Sequence, residues 1–127
     1  MSENVFISKS EKHKEAPWGE MHTYFENKTP REIQSWVKIL NIKKGESISL
    51  QYHKYRTEKW YVLKGNPTAI IGKTKRHLNQ GAFVSISSNV NHRLIAESED
   101  AIVLEICFGT QVDEKDIVRL EDRYGRC

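Results

Sequence analysis

Residues Gly45 to Gly65 read GESISLQYHKYRTEKWYVLKG, and at their centre Gln51 to Trp60, QYHKYRTEKW, set a Gln, a His and a Glu within eight positions. Gln51 and His53 are two apart, so they project from the same side of a strand. Glu58 follows a short loop and opens the next strand-like run, EKWYVLKG. A further imidazole comes much later, at His92 in NVNHRLIA. Two imidazoles, a carboxylate and an amide oxygen form a mixed N/O donor set that suits Zn, Mn, Co, Fe or Ni. With open positions left over, two His and one carboxylate could also hold a non-haem iron. The plain alternative is a charged surface strand with no ligand.

The surrounding sequence has the same strand character. Candidate strands run over 34–43, 47–53, 58–64, 67–72, 75–79, 82–87, 91–97 and 101–108, separated by the breakers KKGE, KGNP, GKTK, NQG, SSNVN and ESED. Many short strands with regular turns predict an all-β sandwich or barrel. Only the tail differs. DEKDIVRLEDRYG carries Ile117, Val118 and Leu120 among charges, which predicts one short helix or turn. In SWVKILNI, Trp36, Lys38, Leu40 and Ile42 share a face, so Lys38 either snorkels at an edge or points into a cavity. In SISLQYH, Ser49, Gln51 and His53 share one face and Ile48, Leu50 and Tyr52 the other. The second face asks for apolar cover, from another layer of the chain or from a partner subunit, and so hints at a homodimer.

Composition narrows the class. A chain of 127 residues suggests one domain, which can bury a core without disulfides or a structural metal. Hydrophobic content of 38% and charged content of 29% read as globular. The net charge of +3, without a basic stripe interleaved with aromatics, is no nucleic-acid signature. No apolar run approaches a membrane span, and MSENVFISKSEKHKEAP has neither a long apolar core nor a small-residue cleavage site, so the expected location is the cytoplasm. The polar, Lys- and Glu-rich residues 1–15 read as a flexible arm and 16–127 as the domain. Cys107 in AIVLEICFG reads as a small buried hydrophobe and Cys127 as a frayed end. His13 and His22 read as solvent-facing, His77 as part of a hairpin, and Trp36 and Trp60 as core. Trp18, between Pro17 and Gly19, reads as a ring presented by a fixed turn.

Gly45, Gln51, His53, Glu58 and Gly65 fit the spacing Gly-x5-His-x-His-x4-Glu-x6-Gly with Gln51 in place of the first His; Gly81 and His92 fit a second frame. In this the chain resembles the cupins. That resemblance implies a double-stranded β-helix, a jelly-roll barrel, with one divalent metal ion, Zn first, on Gln51, His53, Glu58 and His92. Four ordered stretches narrow the resemblance to the type II mannose-6-phosphate isomerases: APWGEM, SLQYHKYRTEKWYVLKG, NHRL and DIVRLEDRYGR. It runs from about Ala16 to Arg126. The chain departs from that family where Pro-x-Gly becomes Ser87-Ser88-Asn89, where Glu-His-Trp becomes Glu58-Lys59-Trp60, and where a Gln after the last strand's Ile-Glu-Val becomes Cys107. Many members are fused to a nucleotidyltransferase domain. None of these 127 residues resembles it, so formation of GDP-mannose is not expected of them.

The resemblance implies a metal-dependent aldose–ketose isomerase acting on a phosphorylated sugar such as mannose 6-phosphate or fructose 6-phosphate, for polysaccharide precursors. Such a reaction needs a Lewis acid, a proton carrier and a phosphate anchor. Glu105, which interrupts AIVLEICF, is the first candidate proton carrier, with Lys38 and Arg119 as further catalytic candidates. Arg56, Lys38 and Arg119 are candidate phosphate anchors, and Trp18 a substrate contact. No nucleic acid or membrane partner is expected. The competing readings are a non-catalytic cupin that binds a sugar or nucleotide-linked sugar, an isomerase or epimerase of a different sugar, and an iron-dependent oxygenase using His53, Glu58 and His92.

Overall fold

Alternation of side chains with period two sorts this chain into two antiparallel sheets. The computed structural model describes residues 12–126. Strands β1 (Lys12–Ala16), β2 (Gly19–Asn27), β3 (Gln34–Ile42), β5 (Arg56–Lys64), β8 (Phe83–Ile86) and β10 (Ala101–Gly109) form one sheet, in the order β1-β2-β3-β10-β5-β8. Strands β4 (Leu50–Tyr52), β6 (Thr68–Ile71), β7 (Thr74–His77), β9 (His92–Ile95) and β11 (Val118–Glu121) form the other, in the order β11-β4-β9-β6-β7. Side chains from both sheets meet in one core, so the architecture is the cupin jelly roll. No helix among the described residues is long and apolar enough to cross a membrane.

The eight candidate strands are all present within a few residues. Three were not foreseen. β1 and β2 form a hairpin against β3, built from KHKEA and GEMHTYFEN, which are too polar to alternate clearly. The tail forms no helix: Val118–Glu121 extends and pairs with β4, between turns. Its apolar residues are met by a neighbouring strand, a tertiary contact that periodicity does not report. Of the expected arm, residues 1–11 lie outside the described residues, as does Cys127, while Lys12–Ala16 lie in β1.

The inward rows of the large sheet change character along the strands. At one end Leu40, Val103 and Val62 stand side by side and are buried. Burying each such side chain contributes about 1.5–3 kcal/mol. One step on, the row is Lys38, Glu105 and Trp60; the next is Trp36, Cys107 and Glu58. The core thus gives way to a polar interior at one end of the barrel. Gly65 closes the turn after β5 at φ 86°, and a Cβ there would meet the Asp100 carbonyl oxygen at 2.5 Å, so only glycine fits.

The face assignment in SISLQYH needs one correction. Ile48 is buried in the core and lines the interior cavity with Ser49 and Gln51, rather than covering an outer face. Residues 48 and 49 precede β4, which starts at Leu50, so strict alternation does not yet apply to them.

Candidate functional site

His53, Glu58 and His92 converge inside the barrel, with one donor atom of each within 4.8 Å of the others, and all three are buried. Three segments deliver them. Glu58 points inward from β5, His92 opens β9, and His53 follows β4. Gln51, on β4, is the register partner of His92 on β9, which places it on the same side. Its side-chain oxygen accepts a hydrogen bond from Ser49 Oγ at 3.2 Å.

Backbone carbonyls set the orientation of both imidazoles. His53 Nδ1 donates to the Asp116 carbonyl at 2.5 Å, and His92 Nδ1 donates to the Val90 carbonyl at 2.9 Å. The Nε2 lone pairs are therefore left to face the Glu58 carboxylate, the arrangement that orients metal-binding histidines. His92 Nε2 and Glu58 Oε2 approach to 2.8 Å, yet neither is aligned for a hydrogen bond, and both are buried without another partner. A buried imidazole nitrogen and a buried carboxylate oxygen this close call for a cation or a proton between them. The donor set fits a divalent ion.

The turn before His92 replaces the family's glycine by Asn89, at φ 65°. Asparagine tolerates this left-handed conformation better than most residues. Its N–H donates to the His53 carbonyl at 2.6 Å, tying the two histidine segments together. Asp116 does the same from the tail, accepting from the N–H groups of Lys54 and Tyr55 at 2.9 and 3.0 Å. Sequence reasoning assigned Asp116 no role, although it stands in the quoted stretch DIVRLEDRYGR; its signal is the carboxylate that opens that stretch.

A cavity of about 460 Å³ opens beside this cluster. Gln51, Arg56, Glu105, Lys38, Arg119 and Trp18 all line it, whereas His53, Glu58 and His92 lie behind its lining rather than in it. Lys38 resolves as the cavity alternative: only 3% exposed, it pairs with Glu114 at 3.1 Å and lies 3.6 Å from the centre of the Trp36 ring. Arg56 is buried too. It donates to the Asp113 carbonyl at 2.8 Å and to His53 Nε2 at 3.1 Å. Arg119 Nε is buried without a hydrogen-bond partner. Trp36 and Trp60 are core as expected, though Trp36 also forms cavity wall. Arg126, not singled out in the sequence, lines the cavity and holds Asp122 at 2.7 Å.

Electrostatics separate the two interior carboxylates. Burial raises the Glu105 carboxyl well above the ordinary range, and the Glu58 charge and a hydrogen bond to Glu58 raise it further. Glu58 feels the same burial, but the charge of His92 and the hydrogen bond from Glu105 outweigh it and hold Glu58 well below that range. Two adjacent carboxyls are therefore pushed in opposite directions, Glu105 towards its protonated form and Glu58 towards its ionised form. Trp36 Nε1 donates to Glu105 Oε2 at 3.3 Å and fixes its direction. Burial drives His53 down to about 4, with Arg56 adding to the fall. Burial also lowers His92, but the Glu58 charge outweighs it and leaves His92 raised. Burial, then Glu105 and Glu58, push the Cys107 thiol well up, so it stands as a neutral neighbour 3.5 Å from Glu58.

The jelly roll with this inward His–Glu–His set and a cation-lined cavity defines a cupin-type domain. Its residues 5–122 match the family described as mannose-6-phosphate isomerase C-terminal, and the chain belongs to that family. It is 33% identical over 125 residues to a mannose-1-phosphate guanylyltransferase of Klebsiella pneumoniae, covering 94% of this chain and 25% of that protein. It is 36% identical over 93 residues to the alginate biosynthesis protein AlgA of Pseudomonas putida, covering 71% of this chain and 19% of that protein. The chain thus spans a quarter or less of the length of these curated relatives. The capsular polysaccharide assembling protein CapF of Staphylococcus aureus shares the fold at a TM-score of 0.71 and 18% identity, over 91% of this chain and 35% of that one.

Proposed function

We propose that the cavity isomerises a phosphorylated aldose to its ketose, with mannose 6-phosphate and fructose 6-phosphate as the pair. The observation that carries this reading is the place of Glu105, which lines the cavity and is hydrogen-bonded to Glu58 of the buried His53–Glu58–His92 set. Family membership supports it. His53, Glu58 and His92, with Gln51, would hold one divalent ion, Zn first. When bound, the ion would supply a Lewis acid for the sugar's carbonyl oxygen. Glu105, in its ionised form, takes the proton from carbon 2 of the aldose and returns it to carbon 1, the hydroxyl proton on oxygen 2 passing to oxygen 1 to complete the ketose, while Trp36 Nε1 keeps the carboxylate aimed. Arg119 and Lys38 anchor the phosphate, joined by Arg56, whose guanidinium already lies in the cavity wall. Trp18 gives the sugar an apolar edge.

The test is interconversion of the two sugar phosphates by ion-loaded protein, followed through a coupled assay. Glu105→Gln should remove turnover while sugar binding persists. Unimpaired turnover in that variant would overturn the assignment of the proton carrier.

A second reading is favoured by the cavity's size. About 460 Å³ lies within the range of sites for drug-sized ligands. A nucleotide-linked sugar is the corresponding ligand, and calorimetric binding of a nucleotide-linked mannose in preference to mannose 6-phosphate would favour it.

A further inference from the structure

The β1–β2 hairpin carries a second group of histidine and carboxylate side chains, apart from the interior His53–Glu58–His92 set. His13 is the register partner of His22, and Glu15 the register partner of Glu20. Residues two apart on a strand share a face, so these four side chains form a two-by-two square. The atoms converge. His13 Nε2 lies 2.8 Å from Glu20 Oε2 and 3.3 Å from Glu15 Oε1, and His22 Nε2 lies 3.4 Å from Glu20 Oε1. His13, Glu20 and His22 each offer a donor atom within 4.8 Å of the others.

We propose that this square binds a divalent cation of the Zn²⁺ class through His13, Glu20 and His22, with Glu15 as the fourth donor. Two imidazoles and two carboxylate oxygens match the donor types and number that Zn²⁺ takes. Glu15 and Glu20 stand directly opposite each other across the strand pair, a like-charge placement that costs stability unless a cation lies between them. Neighbouring groups hold the donors in place. Asn41 Nδ2 donates to Glu20 Oε1 at 3.3 Å, and the His22 ring stacks on Tyr24 at 6.2 Å. Lys14, between His13 and Glu15, turns the other way to pair with Glu114 and line the cavity. An ion on the square therefore pins the edge strand β1 from outside, and β1 contributes Lys14 and Ala16 to the cavity wall.

The experiment is a Zn²⁺ titration by calorimetry of tag-free, chelator-stripped full chain, repeated with Co²⁺ to read the visible absorption of the bound ion. His13→Gln/His22→Gln is compared with wild type, and the pair is repeated in a His53→Ala/His92→Ala background that removes the interior donors. The expected result is one equivalent fewer in His13→Gln/His22→Gln than in its parent. In the interior-ablated background the ion also slows amide exchange across Lys12–Ala16. Should the interior-ablated protein fail to fold, the wild-type comparison alone decides, since the outer substitutions leave the core untouched. Equal stoichiometry with and without His13 and His22 overturns the proposal.

Discussion

The two histidine–glutamate groups of this molecule use the same side chains in opposite surroundings. Inside the barrel, His53, Glu58 and His92 are each about 2% exposed or less, their rings aimed by backbone carbonyls. On the outer hairpin, His13 and Glu20 are 43% and 36% exposed at the side chain, and their neighbours are other side chains. Burial makes the difference. The interior imidazoles are driven apart in pKa, His53 down and His92 up, and the interior carboxyls likewise. On the hairpin the clear consequence is a lowered Glu20, held down by hydrogen bonds from His13 and His22. The same residue types are thus split in charge by burial in one place and left as an exposed tie between strands in the other.

Breaking the interior group should have the largest effect. Glu105→Gln should lower kcat by about 10²- to 10⁴-fold, the usual weight of one acid–base group, with KM little changed. His92→Ala strands the ionised Glu58 in a dry site and should cost about 3–5 kcal/mol of stability in urea unfolding of ion-free protein. The matched substitution outside, His13→Ala, should leave the unfolding midpoint of ion-free protein within error, because exposed pairs contribute little. Equal losses from the two substitutions would erase the distinction.

Acidity sharpens the contrast. His53 sits at about 4 when folded, below its unfolded value, so its contribution is present above the unfolded pKa and lost as pH falls from about 6.5 towards about 4. That loss is of order 3 kcal/mol. His92 is raised, so its contribution is full below its unfolded pKa and lost as pH rises through its folded value. Through these two groups, ion-free protein should be most stable near the ordinary histidine pKa, about 6.5, measurable by urea titrations across pH. Ion binding should move the other way, strengthening as pH rises, because His92 must release its proton.

Arg56 offers a smaller test. It donates to the His53 nitrogen that faces the cluster, so an ion at His53 must displace that hydrogen bond. Arg56→Gln should tighten ion binding by about tenfold, the worth of a hydrogen bond to a charged donor. The same substitution should raise KM for the phosphorylated sugar. Asn89 gives the smallest effect. Asn89→Gly should be near neutral, whereas Asn89→Ala should cost about 1 kcal/mol for the left-handed turn.

The interior could be read from the sequence to an unusual degree. Spacing with period two placed Trp36, Lys38, Leu40 and Ile42 on one inward face, and the glycine-punctuated frame named the strands that carry His53, Glu58 and His92. Where reading failed, the cause was long-range contact. Val118–Glu121 looked like a helix or turn because its pairing partner, β4, lies more than sixty residues away. Asp116 had no visible role because it acts across the same distance, on the N–H groups of Lys54 and Tyr55. The hairpin's His13 and His22 read as isolated surface histidines, and only the register of β1 on β2 brings them together. Arg126 was missed because its place in the cavity depends on how the tail returns to the barrel.

The central claim is that Glu105 moves a proton on a sugar held beside the interior set. Incubating ion-loaded protein with mannose 6-phosphate in deuterated water, and following carbon 2 by NMR, tests it directly. The expected result is deuterium at carbon 2, with parallel exchange at carbon 1 of fructose 6-phosphate, lost on chelation, in His53→Ala and in Glu105→Gln. Bound ion and bound sugar without exchange would contradict it and turn the cavity into a binding site.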